Sequence, residues 1–575
     1  MQALASIVAA TASTGPPIAT QSLTAWWISF CYRAIEVLMR PTTWFVQSKD
    51  SGLPRSLLVI ITFLWLTISM FVAPAYAGPF DILFSSKASL PAAGAGEPLE
   101  SPRVYRSSNG ELRVTLEAKE SRVKLGQFEL RGATYNGDYG GPVLRVKPGD
   151  VLHLTLVNLL PQATNIHFHG MQVSPLGHGD NSMKMVAPGE TWEYVIAVPK
   201  SHPPGLYWFH THGHQYAERQ LMGGLSGTLV VEGFQDEVPA TKPLRERLLA
   251  LKEFSPNRNG ELNKVPKPYN LVVKTINGQL MPRIDILPGE TQLWRLSDQT
   301  ADTYFALRLD GHAFTIIGRD GHPLMRPATS RELFLGPSER LDVLVTAGKA
   351  GSYAFVAEKT WTGPAGDHFQ GQNLALLVSS PDASRPPPAP LRPLIMVSGL
   401  PEVEPIPGDR IDARRTVVFS EDPVTGLFFI NHRTFDHERV DVRVPLGSIE
   451  EWTIRNSSDE LHVFHIHQVP FQVISVNGKT VPFGGLQDTI DVPIHGEVTV
   501  RLAFVDPTIV GRFMFHCHIL EHEDKGMMAL IEVFDPRAAP TPDQDMKMDH
   551  AVIRSIPGGS RAMSGPAAVV PAAHD

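Results

Sequence analysis

Three stretches of this chain repeat one layout, and any fold it adopts has to accommodate all three. They run from 135 to 170 ("YNGDYGGPVLRVKPGDVLHLTLVNLLPQATNIHFHG"), from 276 to 311 ("INGQLMPRIDILPGETQLWRLSDQTADTYFALRLDG") and from 430 to 468 ("INHRTFDHERVDVRVPLGSIEEWTIRNSSDELHVFHIHQ"). Each reads as a strand, a glycine turn at Gly149, Gly289 or Gly447, an alternating strand, a polar turn and a further strand. A second block recurs downstream without gaps as "GLYWFHTH" (205–212), "GSYAFVAE" (351–358) and "GRFMFHCH" (511–518). Short Val/Leu/Ile/Thr runs dominate, and 47 glycines and 49 prolines supply turns between them. The expected fold class is all-β, with one unit for each copy.

The copies differ in one respect that carries chemistry. Counting from the turn glycine, His167 and His169 fall where Leu307 and Leu309 fall in the middle copy and His465 and His467 in the last. In the second block His210 and His212 match Val356 and Glu358, then His516 and His518. A preference of the fold for histidine would mark all three copies, and the middle one is blank. Random placement of 22 histidines in 575 positions gives about one His-x-His pair, whereas the chain has five. Residues two apart on a strand face the same side, so each pair aims two imidazoles one way. Cys517 lies between His516 and His518, with His522 and Met527 following in "FHCHILEHEDKGM". Cysteine, histidine and methionine are ligands that copper prefers, although the stretch alone also fits a buried thiol in a histidine-rich strand.

Charged residues make up 19% of the chain, the net charge is −8 and no basic run appears, which argues against nucleic acid as a partner. From Leu57 to Ala73 an apolar run follows Arg40, Lys49 and Arg55 and leads into a small-x-small site at Ala75 and Ala77. That layout is an export signal, with Met39 as a candidate internal start, and it predicts a periplasmic or secreted protein. The alternative is a retained span, the one case in which membrane contact follows. Cleavage removes Cys31 and leaves Cys517 alone, which excludes a disulfide framework and a multi-cysteine metal site.

With "HFHG", "WFHTH", "HVFHIH" and "HCHILEHEDKGM" in this order, the chain from about Ser101 to Pro536 resembles the three-domain multicopper oxidases of laccase type. The resemblance implies three cupredoxin-like Greek-key β-sandwich domains and four copper ions, one of type 1, one of type 2 and two of type 3. His462, Cys517 and His522 match the type 1 ligands, with Met527 in the axial place. His167 and His465 match the type 2 ligands, and His169, His210, His212, His467, His516 and His518 the type 3 pair. Family members hold the type 2 and type 3 ions between the first and third domains, in keeping with the blank middle copy. Asp180 in "GHGDNS" and Glu523 beside His522 resemble acids that the family places near this cluster for proton delivery. The residues by themselves also allow a turn position for Asp180 and a solvated charge for Glu523.

The expected division is an extension and export signal over 1–77, a flexible linker over 78–100, domains over 101–236, 237–385 and 386–537, and a disordered tail over 538–575. The Pro-rich stretch Pro381–Pro393 and a softer break at Gly233–Lys242 mark the inner boundaries. The implied partners are O₂ and a reducing small molecule or metal ion. Phenols and aromatic amines form one candidate class of reductant, and Cu(I), Fe(II) or Mn(II) another. No methionine-rich insert lies between Pro445 and Pro507, which leans against a dedicated cuprous oxidase. A copper electron-transfer protein, or a silent scaffold like some cupredoxin-fold division proteins, is the reading of a different class. Such scaffolds lose ligands, and this chain has residues of the expected type at all twelve places. His214 reads as a surface or supporting residue, and His312, His322, His432 and His437 carry no assignment. "MKMDH" (546–550) reads as tail sequence.

Overall fold

The computed structural model describes residues 96–257, 261–262, 272–382, 384, 400 and 403–538. The apolar run at 57–73, most of the Pro-rich stretch and nearly all of the tail lie outside the described residues. Among the described residues no helix is long and apolar enough to cross a membrane.

Alternation of apolar and polar side chains builds the strands. In Glu111–Leu125 the side chains of Leu112, Val114, Leu116 and Ala118 are buried while those between them face outward, the two-residue period of a half-covered sheet. The three glycines read as turns have φ of 94°, 76° and 96° at Gly149, Gly289 and Gly447, a left-handed conformation that favours glycine.

Six larger sheets form three pairs. In the first pair a five-stranded sheet runs in the order Val104–Arg106, Val143–Val146, Ser226–Val231, Gly205–His210 and His167–His169. It faces a four-stranded sheet ordered Phe128–Tyr135, Glu111–Leu125, Val151–Asn158 and Thr191–Ala197. Leu116, Leu154 and Tyr194 from one sheet meet Phe168, Phe209 and Leu229 from the other in a common core. Within this pair Glu111–Leu125 runs parallel to Val151–Asn158 and antiparallel to Phe128–Tyr135. The middle pair has six-stranded and five-stranded sheets around Trp294, Phe305 and Phe355. The third repeats that plan around Trp452, Phe464 and Phe515.

The indole of Trp452 is fully buried, packs edge-on to Phe515 at 5.2 Å, and donates from Nε1 to Glu450 Oε2 at 2.8 Å. Trp452→Ala is therefore expected to cost about 3–5 kcal/mol of stability, read from the denaturant midpoint at unchanged slope.

The stretch expected as a linker over 78–100 is described only from Gly96, and that end is pinned. Leu99 N donates to Arg283 O at 2.8 Å, Arg283 N to Glu97 O at 2.7 Å, and Glu100 N to Gln279 Oε1 at 2.8 Å. These bonds join it to the edge of a middle-copy sheet, where unpaired backbone groups await partners.

Candidate metal centre

Four strands and one short helix position the residues singled out above: β1 (His167–His169), β2 (Gly205–His210), β3 (His462–Ile466), β4 (Gly511–Cys517) and α1 (Leu520–Asp524). β1 pairs with β2 so that His167 lies opposite His210, and β3 with β4 so that His465 lies opposite His516. The chain just beyond β2, β3 and β4 adds His212, His467 and His518. All eight imidazoles are buried and come together where the first and third copies meet.

His516 Nε2 lies 3.3 Å from both His212 Nε2 and His467 Nε2. Ligand atoms of His167, His465 and His467 form a second close group, and those of His167, His169 and His210 a third, each within 4.8 Å of one another. The His518 ring lies 5.0 Å from that of His169 and 5.2 Å from that of His210.

Hydrogen bonds to oxygen fix which nitrogen faces inward. His210 Nδ1 donates to Thr211 O at 2.8 Å, His465 Nδ1 to Asp488 O at 2.8 Å, His516 Nδ1 to Cys517 O at 2.9 Å, and His167 Nδ1 to Asp180 Oδ2 at 3.0 Å. A neutral ring that donates at Nδ1 keeps its lone pair at Nε2. Burial holds the rings neutral, pushing His210 and His465 down to about 3 and His516 to about 4, and depressing the others as well. Nε2 of His167, His210 and His465 is then buried with no protein hydrogen-bond partner. Converging lone pairs without a proton between them are a donor set for cations, and neutral imidazole suits copper.

A second group lies on the far side of β4. Nδ1 atoms of His462 and His522 are 3.1 Å apart, and Cys517 Sγ is 3.6 Å from the first and 3.7 Å from the second. His462 Nε2 donates to Ser458 Oγ at 2.7 Å, and His522 Nε2 is 3.4 Å from Glu460 Oε2, which turns both Nδ1 atoms toward the sulfur. Met527 is fully buried in the same core as Cys517, and Cys517 N donates to Met527 O at 3.1 Å.

Both acids belong to the eight-imidazole group. Asp180 accepts from Phe168 N at 3.0 Å and from Gln468 Nε2 at 2.6 Å in addition to His167, so it is a buried acceptor and more than a turn residue. Burial pushes its carboxyl up to about 8, against the pull of those two donors. Glu523 is buried rather than solvated, with its oxygens 3.4 Å from His212 Nδ1 and 3.1 Å from His516 Nδ1. Burial, the neighbouring Asp524 and Cys517 hold its carboxyl well above the usual range.

Sequence reading missed Asp488, Gln468, Ser458, Glu460 and Arg340. Gln468 alone left a trace, as the residue that follows "HVFHIH". His214 is half-buried and stacks on Phe435 at 5.0 Å, outside the groups described.

Three family models described as multicopper oxidase match residues 117–236, 247–382 and 410–536, together about two thirds of the chain. A solved multicopper oxidase from Campylobacter jejuni, described as a metallo-oxidase, is 28% identical with a TM-score of 0.64, covering 77% of this chain and 96% of its own. The laccase-like multicopper oxidase CueO from Ochrobactrum sp., with oxidase activity towards lignin model compounds, is 25% identical with a TM-score of 0.65, covering 76% of this chain and 100% of its own. Cell division protein FtsP of Escherichia coli (strain K12) is 28% identical over 475 residues, 77% of this chain and 94% of that protein.

Proposed function

Because the chain belongs to the multicopper oxidase family and has its all-β, cupredoxin-like fold, we propose that it oxidises phenols and aromatic amines with O₂ as acceptor. The observation that carries this reading is the completeness of two buried donor sets on opposite sides of one strand. His462, Cys517, His522 and Met527 would hold the type 1 ion, His167 and His465 the type 2 ion, and His169, His210, His212, His467, His516 and His518 the type 3 pair. When bound, copper supplies one-electron oxidation of the reductant at the first set and reduction of O₂ to water at the second.

The remaining groups hold ligands in place and handle protons. Thr211 O, Cys517 O and Asp488 O fix ring tautomers through the bonds described. Asp180 and Glu523 would deliver protons for water formation, a role supported by their burial against cluster imidazoles. The export reading rests on the apolar run and the Ala75/Ala77 site, and the division into 101–236, 237–385 and 386–537 rests on the repeats.

One feature favours a metal-ion reductant as the second reading. The Glu460 carboxylate touches His522, and Asp367 and Glu421 both feel its charge. Acidic groups beside the type 1 ligand, the buried Glu460 and the half-buried Asp367 and Glu421, attract cations.

Oxygen uptake by the copper-loaded chain, measured with a phenol, an aromatic amine, Cu(I), Fe(II) and Mn(II), tests both readings. Turnover fastest on the organic reductants is expected. Preference for a metal ion selects the second reading, and a blue band without any uptake selects electron transfer and sinks the oxidase.

A further inference from the structure

The middle copy contributes no imidazole, yet it places a fully buried guanidinium beside the centre. Arg340 opens the strand Arg340–Thr346. Nη1 donates to Asp488 Oδ1 at 2.7 Å and Nη2 to Oδ2 at 2.5 Å, a two-pronged match of planar groups. Nη1 also donates to Ser338 O at 3.2 Å and approaches Asp320 Oδ1 at 3.4 Å, while Nε donates to Leu206 O on β2 at 3.4 Å. One side chain of the middle copy is thus tied to the first copy and the third.

Asp488 passes the constraint on. Its Oδ1 lies 3.1 Å from His169 Nε2, and its backbone oxygen accepts from His465 Nδ1 at 2.8 Å. These two rings, one from each histidine-bearing copy, stack at 3.8 Å and 15°. Both Asp488 oxygens already accept from the guanidinium, so Oδ1 meets His169 Nε2 as an acceptor, and Nδ1 of that ring turns inward, buried and without a protein partner. The final letter of "HFHG" follows from the same pair. A Cβ at Gly170 (φ +82°) would lie 2.6 Å from both Arg340 Nη2 and Asp488 Oδ2.

Stability alone is a poor reason for such a pair, because buried ions lose hydration and apolar replacements of both partners are often at least as stable. We propose that Arg340 and Asp488 are positioning residues. Arg340 locks the Asp488 rotamer, and Asp488 aims His169 Nδ1 and His465 Nε2 at their ions, so the copy that supplies no cluster histidine governs metal retention at the seam. This rests on the eight imidazoles being a copper centre.

The test compares wild type, Arg340→Lys, Asp488→Asn and the double variant Arg340→Met/Asp488→Leu, each copper-loaded and then dialysed against a chelator. Copper per chain, the type 2 electron-paramagnetic-resonance signal, the blue band and the thermal midpoint are read. The expected result is about 10–100-fold weaker retention of cluster copper and a shifted type 2 signal, with the blue band intact. The double variant shows the same loss at a midpoint no lower than wild type. A folded double variant with unchanged copper and an unchanged type 2 signal overturns the positioning role alone. Loss of the blue band together with the folding transition in every variant overturns it too, because the pair is then structural. A wild type with no type 2 signal overturns the copper-centre reading and this inference with it.

Discussion

Cys517→Ser is expected to abolish the blue absorption of the copper-loaded chain and to lower oxygen uptake by about three orders of magnitude, equivalent to ~4 kcal/mol on the barrier. The reason lies in the donor set, since Sγ sits 3.6 and 3.7 Å from the two Nδ1 atoms that face it. A thiolate stabilises Cu(I), and a serine hydroxyl is a hard donor that stays protonated. Near-isosteric replacement leaves the surrounding core filled, and His516 and His518 keep their places. Copper analysis should therefore show the loss of about one atom per chain while the eight-imidazole group stays loaded. A serine variant that keeps the blue band refutes the assignment of His462, Cys517 and His522.

Asp180→Ala is expected to lower turnover about 100-fold, the lower end of what a positioned acid contributes. Three donors, His167 Nδ1, Phe168 N and Gln468 Nε2, converge on this carboxylate. Alanine leaves them buried and unpaired, so copper retention falls as well as rate. Asp180→Asn separates the two effects. Its amide oxygen still accepts, so copper stays near the wild-type level while turnover falls. The decisive measurement is stopped flow. Anaerobic bleaching of the blue band by reductant should keep its rate, and the return of colour on mixing with O₂ should slow. Unchanged reoxidation removes Asp180 from proton delivery and leaves it a tether for His167.

The paired histidines were legible because each pair starts on a strand, whose two-residue period sends both rings to one side, and because the repeat supplied a blank control. Asp488, Arg340, Ser458 and Glu460 were not legible. Asp488, Ser458 and Glu460 each touch a histidine, and Arg340 acts on one only through Asp488, by contacts that no spacing motif announces. The repeat itself carried one misleading regularity. Gap-free counting sets Leu307 against Val356, by analogy with His167 against His210 and His465 against His516. The middle sheet instead pairs Leu307 with Ala357, next to a register shift at Phe355/Val356. A one-residue offset between paired strands leaves no mark in the alternation of side chains along either one. The acids were visible as residues but not in their setting, because burial is a property of the whole assembly. Glu523 lies in α1 between His522 and Asp524, and it is buried against His212 of the first copy and His516 of the third.

At the end of β4 the consecutive residues His516, Cys517 and His518 serve opposite sides. On the proposed assignment the separation between the two centres is then set by bond lengths and angles, with no loop or interface in the path. Such a spacing does not drift. On that assignment, substitutions around His522 and Glu460 alter the choice of reductant without touching the spacing between the two centres.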